Sequence, residues 1–204
     1  GDGGFRVVGY HGGLPGEGWN RGDETVIVDA ELGDGKLTAK LEKADIEISD
    51  GGITVLVDGN LHATLDKIER KSPTLGKDPP RSAVVLFDGT TADNFDGGKL
   101  VDGKWLAASG CASRRKFGDH ELHIEFRTPF MPAARGQSRG NSGVYVQGRY
   151  ELQVLDSFGL DGKNNECGGI YSIAEPIVNM CYPPLTWQTY DIDFTAARYD
   201  DDGK

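Results

Sequence analysis

The sequence predicts an all-β protein in which a small antiparallel β domain precedes a larger β-sandwich. Its apolar runs are short, rich in β-branched and aromatic residues, and alternate with polar residues at a period of two. Glycine makes up 30 of the 204 residues and is scattered between these runs, as expected of tight turns. No segment shows sustained helical periodicity. These three observations favour an antiparallel sandwich or jelly roll over a parallel α/β fold.

The first domain is predicted to span residues 1–70 as a meander of short strands. Gly/Asp turns separate its runs, which are FRVVGY, TVIVDAEL, KLTAKL, DIEIS, GITVLVDG and LHATLDKIE. Residues 71–82, KSPTLGKDPPRS, carry three prolines among charged and turn residues, which disfavour both helix and central strand. We therefore predict a linker at 71–82 and a second domain over 83–204.

The second domain contains further short runs, namely AVVLFDG, KWLAAS, HELHIEFRT, SGVYVQG, YELQVLDSF, GGIYSI and TYDIDFTAA. In HELHIEFR, His120 and His123 lie three residues apart. Alternation of apolar and polar residues indicates a strand, and a strand points these two side chains to opposite faces. A metal site shared by the two histidines is therefore not expected.

Charge and composition narrow the classes of partner. The 22 basic and 32 acidic residues give a net charge of −10, which repels phosphate backbones and anionic membranes, so no nucleic-acid partner is expected. No apolar run approaches the roughly 18 residues that a membrane helix needs. Three cysteines without C-x-x-C spacing make a zinc site improbable, and a Cys167–Cys181 bridge and three free thiols including Cys111 both stay open.

Polar residues that suit sugar recognition crowd two adjacent strands within residues 135–159. Strand periodicity places Glu151 and Gln153 on one face, while Tyr150, Leu152 and Val154 point into the core. Asp156 would join the Glu151 face only through a β-bulge. Two carboxylates so arranged could lie ~5 Å apart, the separation that suits a retaining glycosidase. The alternative interpretation is an ordinary polar outer face of a sandwich strand.

Other side chains could hold a sugar beside these carboxylates. Arg139, Asn141 and Tyr145 lie on or next to the same pair of predicted strands. Farther along, NMCYPPLTWQTYDIDF supplies Tyr182 and Trp187 around a Pro-Pro turn, and aromatic rings stack on the apolar faces of sugars. Core packing is an equally good explanation for each ring taken separately.

Five segments in order resemble a known family, the 3-keto-disaccharide hydrolase domain, over about residues 84–200. They are LFDG, FGDHELHIEFR, RGNSGVYVQGRYELQVLDSFG, NECGGIY and NMCYPPLTWQTYDIDF. The resemblance implies a jelly-roll sandwich similar to that of the concanavalin A-like lectins and glucanases. Residues 1–70 resemble the extension carried by secreted bacterial members, which implies a secreted, periplasmic or cell-surface protein.

The resemblance implies a hydrolase that acts on glycosides whose 3-hydroxyl has been oxidised to a ketone. The ketone acidifies the hydrogen on C2, so one base and one acid suffice for cleavage by elimination and hydration. We assign Glu151 as base or nucleophile and Asp156 as acid, on the concave face. The sugar would be positioned by six residues, which are Arg139, Asn141, Tyr145, Gln153, Tyr182 and Trp187.

Laminarinase-like glucanases of the same fold carry a bulged strand with the pattern Glu, apolar, Asp, apolar, apolar, Glu. The corresponding positions here are Glu151, Gln153 and Asp156, with apolar residues between them. Gln153 cannot share a proton as an aspartate does, and Asp156 is one methylene shorter than glutamate. Ordinary retaining glucanase chemistry is therefore not expected.

Three further expectations complete the sequence-based interpretation. A non-catalytic carbohydrate-binding or cell-surface module is the alternative to an enzyme. Family domains continue with more strands after TYDIDF, so a further segment or chain is expected to complete the sandwich. No metal or cofactor is assigned, although Glu151, Asp156 and Glu166 could furnish oxygen ligands for a divalent cation such as Ca²⁺.

Overall fold

The computed structural model describes residues 4–199 and residue 202, and strands dominate them. The first part of the chain contains eight strands. They are β1 (Gly4–Tyr10), β2 (Leu14–Pro15), β3 (Gly18–Trp19), β4 (Thr25–Gly33), β5 (Lys36–Lys40), β6 (Ala44–Ser49), β7 (Gly52–Val57) and β8 (Asn60–Asp66). Six of these form one antiparallel sheet in the order β1-β4-β5-β6-β7-β8.

Two Asp-Gly turns show why this sheet forms as the sequence pattern predicts. Asp34 and Gly35 connect β4 to β5, and Asp58 and Gly59 connect β7 to β8, each as a two-residue loop. All four residues have positive φ, the conformation that matches the twist of paired strands in a tight hairpin. Successive side chains along each strand then point to opposite faces of the sheet. This arrangement agrees with the predicted meander.

The second part of the chain contains shorter and more widely spaced strands. They are β9 (Phe95–Asp96), β10 (Leu100–Val101), β11 (Trp105–Leu106), β12 (Ala112–Ser113), β13 (His120–Arg127), β14 (Ser142–Val146), β15 (Tyr150–Val154) and β16 (Trp187–Phe194). Strands β13 and β16 pair antiparallel over eight residues, and β14 and β15 form a hairpin. A short 3₁₀ turn, Gly136–Ser138, precedes β14.

Aromatic side chains join the β13–β16 pair to the β14–β15 hairpin. Phe126 packs on Tyr190 with ring centroids 4.7 Å apart, and Phe194 contacts both His120 at 5.3 Å and Tyr150 at 6.5 Å. The two strand pairs therefore face each other across an apolar layer. The prediction of an all-β fold is confirmed, and the strand pairs are consistent with a β-sandwich. The jelly-roll connectivity stays a prediction.

Residues 71–82 run beside β13 and β16. The Ser72 hydroxyl accepts the Thr189 amide at 3.2 Å, and the Gly76 amide donates to the Glu125 carboxylate at 2.6 Å. Thr74 adds a hydrogen bond to Thr189 at 2.9 Å. The division of the chain at 71–82 stays a prediction. In the part of the chain that the structure describes, no helix is long and apolar enough to cross a membrane.

Candidate functional site

Glu151 lies on the face of the β14–β15 hairpin that points away from the aromatic layer, here called the Glu151 face. Its neighbour Tyr150 points towards Phe194, so alternation turns Glu151 outwards. Tyr145 stands directly opposite on β14, and its hydroxyl donates to Glu151 Oε2 at 2.7 Å. This hydrogen bond is the main reason why the pKa of Tyr145 is raised, because ionising the phenol would break it.

Gly143 makes room for the Glu151 carboxylate. It lies on β14, diagonally across from Glu151, and a Cβ atom at this position would lie 2.1 Å from Glu151 Oε1. Any larger residue would push the carboxylate away from its position beside Tyr145. The pair of Glu151 and Tyr145 therefore depends on a glycine in the neighbouring strand.

Gln153 shares the Glu151 face but is fully buried. Its side-chain amide donates to Gln137 Oε1 at 2.7 Å and to the Asn165 carbonyl at 3.4 Å, while Gln137 Nε2 donates to the same carbonyl at 2.7 Å. Gln153 Oε1 has no hydrogen-bond partner among the described residues. The 3₁₀ turn and the loop at 165 thus cover this end of the face, so in this conformation Gln153 cannot touch a sugar directly.

Asp156 lies beyond the end of β15. The β14–β15 ladder runs from Ser142 to Val146 without a register shift, so no bulge within it returns Asp156 to the Glu151 face. Instead the Asp156 amide donates to the Arg139 carbonyl at 3.1 Å, and Arg139 Nε donates to Asp156 Oδ2 at 2.8 Å. The chain therefore turns at this point, and Asp156 forms an ion pair with Arg139.

This ion pair bears on two of the predicted roles. The Asp156 side chain has no exposed surface, whereas a general acid has to reach the leaving group. Arg139 is one quarter exposed, and its Nε donates to Asp156 rather than to a ligand. In this conformation the pair supports the turn after β15, and the predicted roles of Asp156 as acid and Arg139 as sugar ligand stay predictions.

The aromatic residues predicted to stack on a sugar lie elsewhere. Trp187 belongs to the outward face of β16, where its ring packs 4.7 Å from Trp105 and under the Arg127 guanidinium. Because Tyr190 on the other face of β16 contacts the aromatic layer, Trp187 and Glu151 project from opposite sides of the paired strands. The structure therefore does not bring Trp187 to Glu151.

Tyr182 and Asn141 differ from each other in exposure. Tyr182 is buried, with the Arg70 guanidinium 5.5 Å from its ring centroid and its amide hydrogen-bonded to Gln188. It packs as a core residue in this conformation. Asn141 is exposed next to the first residue of β14. Of the predicted sugar-binding residues, only Tyr145 is both exposed and part of the strand that pairs with β15, and Asn141 is exposed immediately before that strand.

The three carboxylates considered for a cation each have a protein partner. Glu151 accepts from Tyr145, Asp156 from Arg139, and Glu166 Oε2 from the amides of Gly162 and Lys163 at 2.7 and 3.0 Å. Within residues 4–199 and at residue 202, no cluster of three or more His, Cys, Asp or Glu has an arrangement suited to a metal ion. The divalent cation stays a prediction.

Sequence reasoning missed the residues that enclose the site. Gln137 and Asn165 lie in loops, where no periodicity indicates what a side chain contacts. Gly143 could have been found, because the pairing of β14 with β15 sets it diagonally opposite Glu151. A second polar cluster, formed by His123, Glu125 and Asp191 on the outward face of β13 and β16, also went unnoticed.

Residues 82–200 match the family model of the 3-keto-alpha-glucoside-1,2-lyase-like domain, and the chain belongs to this family. At the level of the family, this places the chain among carbohydrate-related hydrolase domains.

One solved structure is similar to part of this chain. It is a candidate glycosyl hydrolase from Parabacteroides distasonis ATCC 8503, with a TM-score of 0.55 and 34% sequence identity. The similarity covers 61% of this chain and 57% of that protein. The matched region thus amounts to little more than half of that protein's length. The comparison with curated proteins found no match.

Proposed function

We propose that this protein cleaves glycosides whose 3-hydroxyl has been oxidised to a ketone, with Glu151 as the base that removes the hydrogen from C2. The observation that carries the proposal is the Glu151–Tyr145 pair, a carboxylate and a phenol 2.7 Å apart on an open strand face. The family description, a lyase acting across C1 and C2 of a 3-keto glucoside, supplies the reaction class.

The chemistry follows from the ketone. Glu151 takes the C2 proton, the C–H electrons form the C1–C2 double bond, and the C1–O bond breaks as the leaving oxygen gains a proton. Hydration of the unsaturated product completes an overall hydrolysis. A phenol is protonated at neutral pH, and the Tyr145 hydroxyl already donates to Glu151, so we assign Tyr145 as the proton donor beside the base. Asp156 would serve as acid only if the turn after β15 opened.

The test compares turnover of a 3-keto disaccharide with turnover of its unoxidised parent sugar. Turnover is measured as the release of the keto sugar. Glu151→Gln is expected to lower kcat by about 10²–10⁴-fold, the contribution of a positioned general base. Glu121→Gln, the same substitution on exposed β13, is the matched control and should leave kcat unchanged. Deuterium at C2 of the substrate should slow the wild-type reaction if proton abstraction limits it.

Three results would separate the assignments. Unchanged turnover in Glu151→Gln would remove Glu151 from the mechanism. Tyr145→Phe is expected to reduce kcat. It should also abolish the change in kcat that accompanies ionisation of the Tyr145 phenol at high pH. If Tyr145→Phe keeps full activity while a folded Asp156→Asn variant loses it, the acid is Asp156 and the turn must open during catalysis.

A non-catalytic carbohydrate-binding module is the second candidate, and the exposure of Tyr145 favours it. Tyr145 is 60% exposed beside Glu151, an arrangement suited to stacking on a sugar. This candidate predicts sugar affinity that is lost in Tyr145→Ala, with no turnover of any glycoside. If Trp187→Ala loses affinity instead, the sugar binds on the side of the paired strands opposite to Glu151. With either function we expect a secreted, periplasmic or cell-surface protein.

A further inference from the structure

We infer that Cys167 and Cys181 form a reversible dithiol–disulfide pair, which fastens the segment beside β15 to the core of the second region. Both cysteines are buried, at 5% and 7% exposure, and both are reduced in this structure. Cys111, which is partly exposed, is the third free thiol and has no place in the pair.

The two thiols lie against each other. Their side chains interact directly, and the Leu155 carbonyl is a neighbour of both sulfurs, with Cys181 Sγ donating to it at 3.4 Å. Cys167 Sγ also lies 3.2 Å from the Tyr190 hydroxyl. The two sulfurs thus share one buried environment although their residues are well separated in the chain.

Backbone hydrogen bonds hold the two cysteines in place before any bond forms. The Cys167 amide donates to Ser157 Oγ at 2.8 Å, and the Cys181 amide donates to Asn179 Oδ1 at 3.0 Å. Asn179 Nδ2 donates in turn to the Ser157 carbonyl at 2.7 Å. One buried Ser–Asn pair therefore anchors the backbone of both cysteines.

The two cysteines border a cavity, which is the route we propose for a small oxidant. Both cysteines line a cavity of about 330 Å³, together with Pro73, Met180, Tyr182 and Tyr190. Contact with Cys167 and burial raise the pKa of the Cys181 thiol, so Cys167 is the more available nucleophile.

The reaction balances with a low-molecular-weight disulfide as oxidant. The Cys167 thiolate attacks one sulfur of the disulfide, forming a mixed disulfide and releasing one small thiol. The Cys181 sulfur then attacks Cys167 Sγ, releasing the second small thiol. The protein loses two protons and two electrons, and the oxidant gains them as two thiols.

The bond would act on the strand that carries Glu151. Residues 168–171 follow Cys167 directly and pair with the free edge of β15. Gly168 donates to the Gln153 carbonyl at 3.2 Å, Gln153 to the Gly169 carbonyl at 2.9 Å, and Tyr171 to the Glu151 carbonyl at 2.9 Å. Fixing Cys167 to Cys181 therefore secures one end of this pairing without touching the Glu151 carboxylate.

The test uses the full chain equilibrated in redox buffers of reduced and oxidised glutathione. Samples are quenched with acid, alkylated after denaturation, digested and analysed by mass spectrometry. We expect one cross-linked peptide pair joining Cys167 to Cys181, lighter by two hydrogens than the separate peptides, with Cys111 in no cross-link. Cys111→Ser is the matched control and should keep the cross-link, whereas Cys181→Ser should leave Cys167 as a mixed disulfide with glutathione.

Two outcomes would overturn the inference. One is separate alkylation of Cys167 and Cys181 at every redox poise. The other is a bond formed outside the native pair, whether it involves Cys111 or appears only after denaturation. Hydrogen exchange on the wild-type chain tests the fastening without any variant, because the amides of residues 168–171 should exchange several-fold more slowly in the oxidised form. Equal exchange in both forms would refute that consequence.

Discussion

The two regions of this protein use polar residues in opposite ways. The six-stranded sheet of the first region satisfies its backbone within regular ladders, and its polar side chains are exposed, as in the Lys36–Glu47 pair. The second region has short strands joined by long loops, and it buries polar side chains. These are Thr128, Gln153, Asp156, Ser157, Asn179 and Gln188.

The difference follows from how each backbone is satisfied. In a complete sheet the strands pair with one another, so side chains need not supply hydrogen bonds. Where loops cross the interior, buried amides and carbonyls need side-chain partners, and Asn179 and Ser157 supply them. Removing a polar side chain should therefore lower the free energy of unfolding far more in the second region than in the first. Three experiments test this contrast, from the largest expected effect to the smallest.

The largest effect is expected for Arg139→Met. It leaves the Asp156 carboxylate buried without its ion-pair partner, which should lower the free energy of unfolding by about 3–5 kcal/mol. Lys36→Met is the matched control, since its 3.5 Å pair with Glu47 is exposed and should contribute about 0–1 kcal/mol. Urea denaturation measures both. Equal costs for the two substitutions would contradict the contrast, and adding Asp156→Asn to Arg139→Met should recover part of the loss.

An intermediate effect is expected for Asn179→Ala. Its amide donates to the carbonyls of Ser157 and Leu160 and accepts from the Cys181 amide, so its removal takes three hydrogen bonds from groups that are buried or partly buried, although the Ser157 carbonyl keeps the Leu160 amide as a donor. We expect a loss of about 1–3 kcal/mol in thermal or urea unfolding. Asn60→Ala, which removes one exposed hydrogen bond to Asp58 in the first region, should stay within about 0.5 kcal/mol. A neutral Asn179→Ala variant would show that water replaces the side chain.

The smallest effect is a pH dependence at His123. Partial burial lowers the pKa of His123, but its hydrogen bonds to Asp191 at 2.7 Å and Glu125 at 3.4 Å outweigh this, so the pKa is raised. The contribution to stability is therefore complete below the unfolded value of about 6.5 and is lost as pH rises through the higher folded value.

The measurement is the unfolding midpoint from pH 5 to 9, roughly the range over which a histidine titrates. His123→Gln should reduce the fall of the unfolding midpoint at alkaline pH. His62→Gln, at an exposed position of β8, should reproduce the wild-type profile. Because the cluster is partly exposed, the effect should be small and should shrink in high salt. Identical profiles for wild type and His123→Gln would show that the cluster does not contribute to stability.

Local patterns in the sequence were enough to place most strands and their faces. The alternation in HELHIEFR put His120 towards the aromatic layer and His123 away from it, and that in YELQV put Tyr150 and Glu151 on opposite faces. Tyr150 contacts Phe194 but keeps 37% of its surface exposed, so the predicted core position is reached only in part. The Asp-Gly pairs marked two hairpins for the same reason, since turn geometry depends on adjacent residues. These features needed no contact between distant parts of the chain.

The surroundings of Glu151 depended on contacts between distant parts of the chain. Periodicity ends with β15 at Val154, so it could not assign Asp156 to Arg139, and it could not show that Trp187 projects from the opposite side. The sequence by itself determined that Glu151 lies on an outward face. Only the tertiary structure decided that Tyr145 and Gly143 frame it, and that Cys167 meets Cys181, because strand register and loop paths bring together residues that no local pattern relates.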